Sequence, residues 1–114
     1  MTESDTGDVS IQELQDTVSR LASHKGVQSV LILNREGDIL AESIVNFTPS
    51  LNVDEAPKHE LAKQSHKLLT SARAYLQSLD PNDEVAFLQL RSKNNHEVMI
   101  APHEGYVLAV SKRL

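Results

Sequence analysis

The sequence predicts a single α+β domain in the order α-β-β-α-β-β-β, with a five-stranded antiparallel sheet. Three observations point to it. Residues 10–23 and 54–79 carry apolar side chains at helical spacing, while five short runs rich in Val, Ile and Leu are bounded by Gly, Pro, Asn or Asp. The links between the last three runs are too short for the crossovers that parallel strands need. At 114 residues the chain holds one ordinary core, and a domain of this size gains stability from further burial against a second subunit.

Residues 1–9 are polar and acidic and are expected to form a flexible tail, with the domain spanning 10–114. Ser10 followed by Glu13 is the pattern of a capping box, which opens a helix running to about Ser23. Ile11, Leu14, Val18 and Leu21 then share a face that a sheet or another helix must cover. Gly26 interrupts the pattern, and Val27 to Leu33 reads as a central strand. Asn34 to Gly37 is a turn into a second strand, Ile39 to Ser43, with Gly37 supplying a positive φ rather than a phosphate loop.

Residues 44–56, with Pro49, read as a loop that crosses a sheet edge or carries a recognition contact. Asp54 is the expected cap of a second helix with Pro57 in its first turn, ending at Leu79 and about 39 Å long at 1.5 Å per residue. Leu61, Ser65, Leu68, Ala72, Tyr75 and Leu79 trace one face, which Ala62, Leu69 and Leu76 widen. That breadth suits contact with both the parent sheet and a second copy, or one broad core contact.

Val85 to Arg91, Glu97 to Ala101 and Tyr106 to Ser111 supply the last three strands, with Pro102 expected to end the middle one. An apolar strand such as Val85 to Leu90 at a free edge would invite pairing with the same strand of another chain. A twofold dimer through that strand and the long helix is the resulting expectation.

Composition narrows the function. A formal charge of -5, from 11 basic and 16 acidic residues, argues against nucleic acid or an anionic membrane as a general partner. With no cysteine there is neither a disulfide framework nor a thiolate metal site. No run approaches the roughly 18 apolar residues of a membrane span, residues 1–8 lack a signal-like core, and a cytoplasmic location is the simplest expectation.

Chemistry finds little support. His24, His59, His66, His96 and His103 match no metal spacing, although His59 and His66 could share a helical face. His96-Glu97 and His103-Glu104 resemble acid/base pairs only superficially, since adjacent strand residues point to opposite faces. Arg91-Ser-Lys93 reads as a polar turn, and Met99 and Tyr106 read as packing residues. A non-catalytic protein without metal or cofactor is expected.

His24-Lys-Gly-Val-Gln28, Val30-Leu-Ile-Leu-Asn34 and Glu36-Gly37 form the first strand and turn; Leu79-Asp-Pro-Asn-Asp83, Phe87-Leu88 and Leu90-Arg-Ser-Lys93 form the helix exit and third strand. Val98-Met-Ile-Ala-Pro102 and Tyr106-Val-Leu-Ala-Val110 follow. In these motifs taken together the chain closely resembles the roadblock, or LC7, dynein light-chain family over roughly residues 10 to 112.

The resemblance implies a homodimer or paralogous heterodimer with a joined ten-stranded sheet, held by the long helices and paired third strands. It implies a non-catalytic light chain that binds the dynein intermediate chain, assembling a microtubule motor in the cytoplasm and linking it to cargo for transport. Leu61, Leu68, Ala72 and Tyr75 on the helix, with Phe87 and Leu88 at the joining strand, become interface candidates. The alternative is a roadblock-like scaffold or regulator of a small GTPase.

Overall fold

In a computed structural model, which describes residues 10–44 and 57–114, the elements run α1 (Ile11–Ala22), β1 (Val27–Leu33), β2 (Ile39–Ile44), α2 (Pro57–Leu79), β3 (Leu88–Arg91), β4 (His96–His103) and β5 (Tyr106–Arg113). The acidic tail, the loop beyond Ile44 and the Asp54 cap lie outside the described residues. α1 opens on the expected capping box. The Glu13 backbone N–H donates to the Ser10 hydroxyl at 3.1 Å, and the Ser10 N–H donates to the Glu13 carboxylate at 3.0 Å. α2 extends 23 residues, about 35 Å at 1.5 Å per residue.

The strands form one antiparallel sheet in the order β2-β1-β5-β4-β3, which confirms the α+β five-stranded architecture. β1 sits inside the sheet, and its side chains alternate between two cores. Leu31 and Leu33 pack toward α2 with Ala62, Leu69, Ile100 and Ala109. Val30 and Ile32 pack toward α1 with Leu14, Val18 and Val110. Each buried aliphatic side chain of this kind contributes about 1.5–3 kcal/mol through removal of apolar surface from water.

Two glycines are required where they stand. Gly37 has φ +93°, and a Cβ there would lie 3.0 Å from the His66 ring; its turn is closed by the Asn34 side chain, which accepts from the Glu36 and Asp38 N–H groups, each at 2.9 Å. Gly26 has φ +84°, and its carbonyl accepts from Arg113 N–H at 2.8 Å, an approach that a Cβ would obstruct.

The structure corrects two strand boundaries, and Pro102 explains both. β4 does not stop before Pro102 but continues to His103, paired there with β5, while β3 begins at Leu88 rather than Val85. The Ser92 N–H donates to the His96 carbonyl, so even-numbered residues of β4 direct their backbone groups toward β3 and odd-numbered ones toward β5. Pro102 faces the β3 side, where its missing N–H ends the β3–β4 ladder and leaves β5 pairing intact. Val85, freed from the ladder, turns into the α2-side core and is buried.

Candidate interaction surface

β3 is an edge strand. Leu88 to Arg91 pairs with Ile100 to Glu97 of β4 and with no other strand among the described residues. Because Leu88 and Leu90 direct their backbone groups to β4, those of Gln89 and Arg91 face the open edge. Side chains divide the other way. Leu88 and Leu90 share the α2 side of the sheet, whereas Gln89 and Arg91 lie on the α1 side, where both reach Glu97.

That side-chain contact anchors the edge. Glu97 is buried on β4 and accepts from Arg91 Nη2 at 3.0 Å and Gln89 Nε2 at 2.5 Å, with Lys112 Nζ 3.6 Å away. The hydrogen bonds from Arg91 and then Gln89 hold its carboxyl below the ordinary carboxylate range, outweighing the opposing effect of burial. A turn closed through Ser92 completes the hairpin, with its hydroxyl accepting from the His96 N–H at 3.0 Å.

The adjoining flank of α2 is apolar and partly uncovered. Leu61, Leu68, Ala72 and Leu76 pack half-buried against the core, while Tyr75 and Leu79, one turn apart, are 69% and 70% exposed. Leu61 and Leu68 overlook a groove of about 160 Å³ floored by Leu31, Val98 and Ala109. Exposed Leu90 stands at the outer strand on the same face of the sheet.

The six candidate interface residues therefore separate by environment. Leu61, Leu68, Ala72 and Leu88 already contact the chain's own core, Tyr75 projects from α2, and Phe87 lies at the β3 entrance on the α1 side. Leu79 and Leu90 are not among the six, although both are exposed beside them. Their sequence signal is the apolar stripe itself, which does not say what covers it.

Among the described residues, the polar groups do not assemble into a catalytic constellation. His96-Glu97 and His103-Glu104 occupy opposite ends of β4, about 23 Å apart at 3.3 Å per residue, so the turns do not bring them together. His59 and His66 do line one trough with Gly37 and Asp38. Among the described residues, no group of three or more His, Cys, Asp or Glu could hold a metal ion. An adjoining cleft of about 480 Å³, which shares Gly37 and His66 with that trough, gathers Arg35, Arg73, Glu84 and Glu104 near the β4–β5 turn, with both charge signs present. No described helix is long and apolar enough to cross a membrane.

The Roadblock/LC7 domain model matches residues 13–112, nearly the whole of this α-β-β-α-β-β-β arrangement. The chain belongs to the Roadblock/LC7 family. Its role in that family is non-catalytic. The fold is similar to a Roadblock/LC7 domain from Streptomyces avermitilis, at 14% identity and TM-score 0.69, over 87% of this chain and 77% of that one. It is similar to MglB in a tetrameric arrangement, at 13% identity and TM-score 0.71, over 90% and 72% of the two chains. Gliding protein MglB from Thermus thermophilus matches at 15% identity and TM-score 0.64, over 90% and 70%.

These relatives correct the dynein assignment. They are bacterial Roadblock/LC7 and MglB proteins rather than dynein light chains, which removes the intermediate-chain partner, the microtubule and cytoskeletal location and the motor-transport role. The motifs behind that assignment turn out to serve the fold. Ile100 is fully buried, Pro102 terminates the β3–β4 ladder, and Ser92 closes the hairpin. Residues that fill a core, end a ladder or close a turn build the fold and do not by themselves say what it binds.

Proposed function

We propose that this chain is a roadblock-type scaffold or regulator of a small GTPase and acts as a dimer. The single observation that carries the dimer is the exposed edge of β3, with Leu90 and α2, which bears the uncovered residues Tyr75 and Leu79, on the same side of the sheet. Pairing two β3 edges would satisfy the outward backbone groups of Gln89 and Arg91 and join two five-stranded sheets into one of ten. Two α2 helices would then lie side by side, with Leu61, Leu68, Ala72 and Tyr75 candidate contacts between them and Phe87 and Leu88 beside the joined strands. Support for the GTPase comes from family membership together with the likeness to MglB, which favours this reading over dynein assembly.

The direct test combines light scattering during size exclusion with binding to purified small GTPases, each loaded with GDP or a non-hydrolysable GTP analogue. A species of twice the 12.6 kDa chain mass, which gains a GTPase in one nucleotide state, is the expected result. A monomer at high micromolar concentration removes the dimer. A folded dimer indifferent to GTPases in both states removes the regulatory role.

A further inference from the structure

The cleft of about 480 Å³ on the α2 side of the sheet presents opposite charges that do not neutralise each other. Arg35 stands in the β1–β2 turn, Arg73 on α2, Glu84 ahead of β3 and Glu104 in the β4–β5 turn, and all four line it. Among the described residues, none of the four belongs to an ion pair, within the cleft or outside it. Leu33, Leu69, Val85 and Val107 are buried and supply an apolar floor. An apolar floor with a few polar groups around it, at this volume, suits a small molecule.

Two features of the walls bear on what the cleft can hold. On α2, His66, Thr70, Arg73 and Gln77 recur at i, i+4, i+7 and i+11 and form one wall. At about 100° per residue this polar row lies roughly opposite the apolar stripe of Leu61, Leu68 and Tyr75, so a dimer joined through that stripe would leave the cleft open. In the β4–β5 turn, Glu104 and Gly105 both have positive φ, +36° and +89°, the backbone of a two-residue type I′ hairpin turn. Asn, Asp or Gly suits the first of those positions, and Glu does not. The chain thus keeps a conformationally disfavoured residue where its carboxylate lines the cleft.

A simple anion would be drawn to Arg35 and Arg73 and opposed by Glu84 and Glu104; a simple cation would meet the reverse. A molecule carrying both charges satisfies both sets. We propose that the cleft binds a zwitterionic small molecule with an apolar body, the size of a dipeptide with free termini. Its carboxylate pairs with the guanidinium groups, its ammonium pairs with the Glu84 and Glu104 carboxylates, and its aliphatic side chains cover Leu33, Leu69 and Val107. This site lies away from the β3 edge and does not rest on the GTPase reading.

The test titrates the full chain, isotopically labelled, with L-leucyl-L-leucine, with its N-acetyl form, which keeps only the carboxylate, and with its amide, which keeps only the ammonium. Amide shifts at Arg35, Arg73, Glu104 and Gly105 are expected with the dipeptide, and each singly charged probe should bind about fivefold more weakly. Arg73→Gln should weaken dipeptide binding about fivefold and leave the amide probe unaffected. Glu104→Asn suits the turn better, so it should keep or raise Tm and still weaken dipeptide binding. Absence of shifts with the dipeptide, shifts centred elsewhere, equal binding of all three probes, or unchanged dipeptide affinity in either folded variant overturns the proposal.

Discussion

β1 and β3 are both short aliphatic strands of one sheet, yet they meet opposite environments. β1 has a strand on each side and a helix-covered core on each face, so Val30 to Leu33 are all buried. β3 has one neighbour, one open edge, and a leucine, Leu90, that is 45% exposed. Aliphatic residues in the first strand drive folding of the chain; in the second Leu88 still packs on the core, and Leu90 remains available after folding is complete. Concentration separates these roles experimentally, since burial in a partner depends on it and burial in a core does not.

The largest effect is expected in β1. Leu31→Ala removes a fully buried side chain between α2 and the sheet and should cost about 2–5 kcal/mol of stability. Chemical denaturation at two widely separated protein concentrations checks this. The loss should persist at both, and a change under about 0.5 kcal/mol, the usual range of a surface substitution, would remove Leu31 from the core.

Leu90→Asp reverses the comparison at β3. A carboxylate at this exposed position is tolerated by the single chain but becomes unpaired and desolvated if the edge is joined to another. The dissociation constant of the proposed dimer should rise by about two orders of magnitude, ~3 kcal/mol, while far-UV circular dichroism stays unchanged. Wild-type association in sedimentation equilibrium would show that β3 is not the joining edge. Leu68→Asp is less clean, because Leu68 also packs against the chain's own core and its loss would disturb folding.

This contrast also explains what was legible in the sequence. α1, β1 and the end of α2 at Leu79 could be read because capping chemistry, a continuous aliphatic run and an Asp-Pro exit act locally. The start of β3 could not, because it depends on Pro102 standing opposite Ala86 in the register, sixteen positions later along the chain. Exposure at Leu79 and Leu90 was hidden for a related reason. Periodicity reports which residues are apolar, and only assembly of the fold shows which of them its own helices leave uncovered. Subfamily identity was least legible, since the matching motifs were residues that build the sheet.

A smaller effect is expected at the start of α1, the helix that covers β1. Ser10→Ala deletes the hydroxyl that receives the Glu13 N–H and should cost about 1 kcal/mol, lowering Tm by roughly 4–8 °C. Ser10→Asp, which restores an acceptor, should recover most of the loss. Failure of that rescue in a thermal scan would assign the effect to something other than the cap.

The smallest effect is expected at Glu97, and it returns to the β3 edge. Its folded-state carboxyl is held below its usual value by the Arg91 and Gln89 hydrogen bonds, so its stabilisation is present above the unfolded value near 4.5 and is lost as pH falls through the lower folded value. Arg91 is 65% exposed, and solvent screening keeps its share of the effect small. Glu97→Gln should therefore destabilise the chain modestly at neutral pH and flatten the acid limb of the stability curve. Because Gln89 and Arg91 belong to β3, the change should appear first as faster amide hydrogen exchange at Leu88 and Leu90, whose N–H groups face β4, with β1 protection unchanged. Equal loss of protection in β1 and β3 would show that Glu97 stabilises the whole sheet instead of anchoring its open edge.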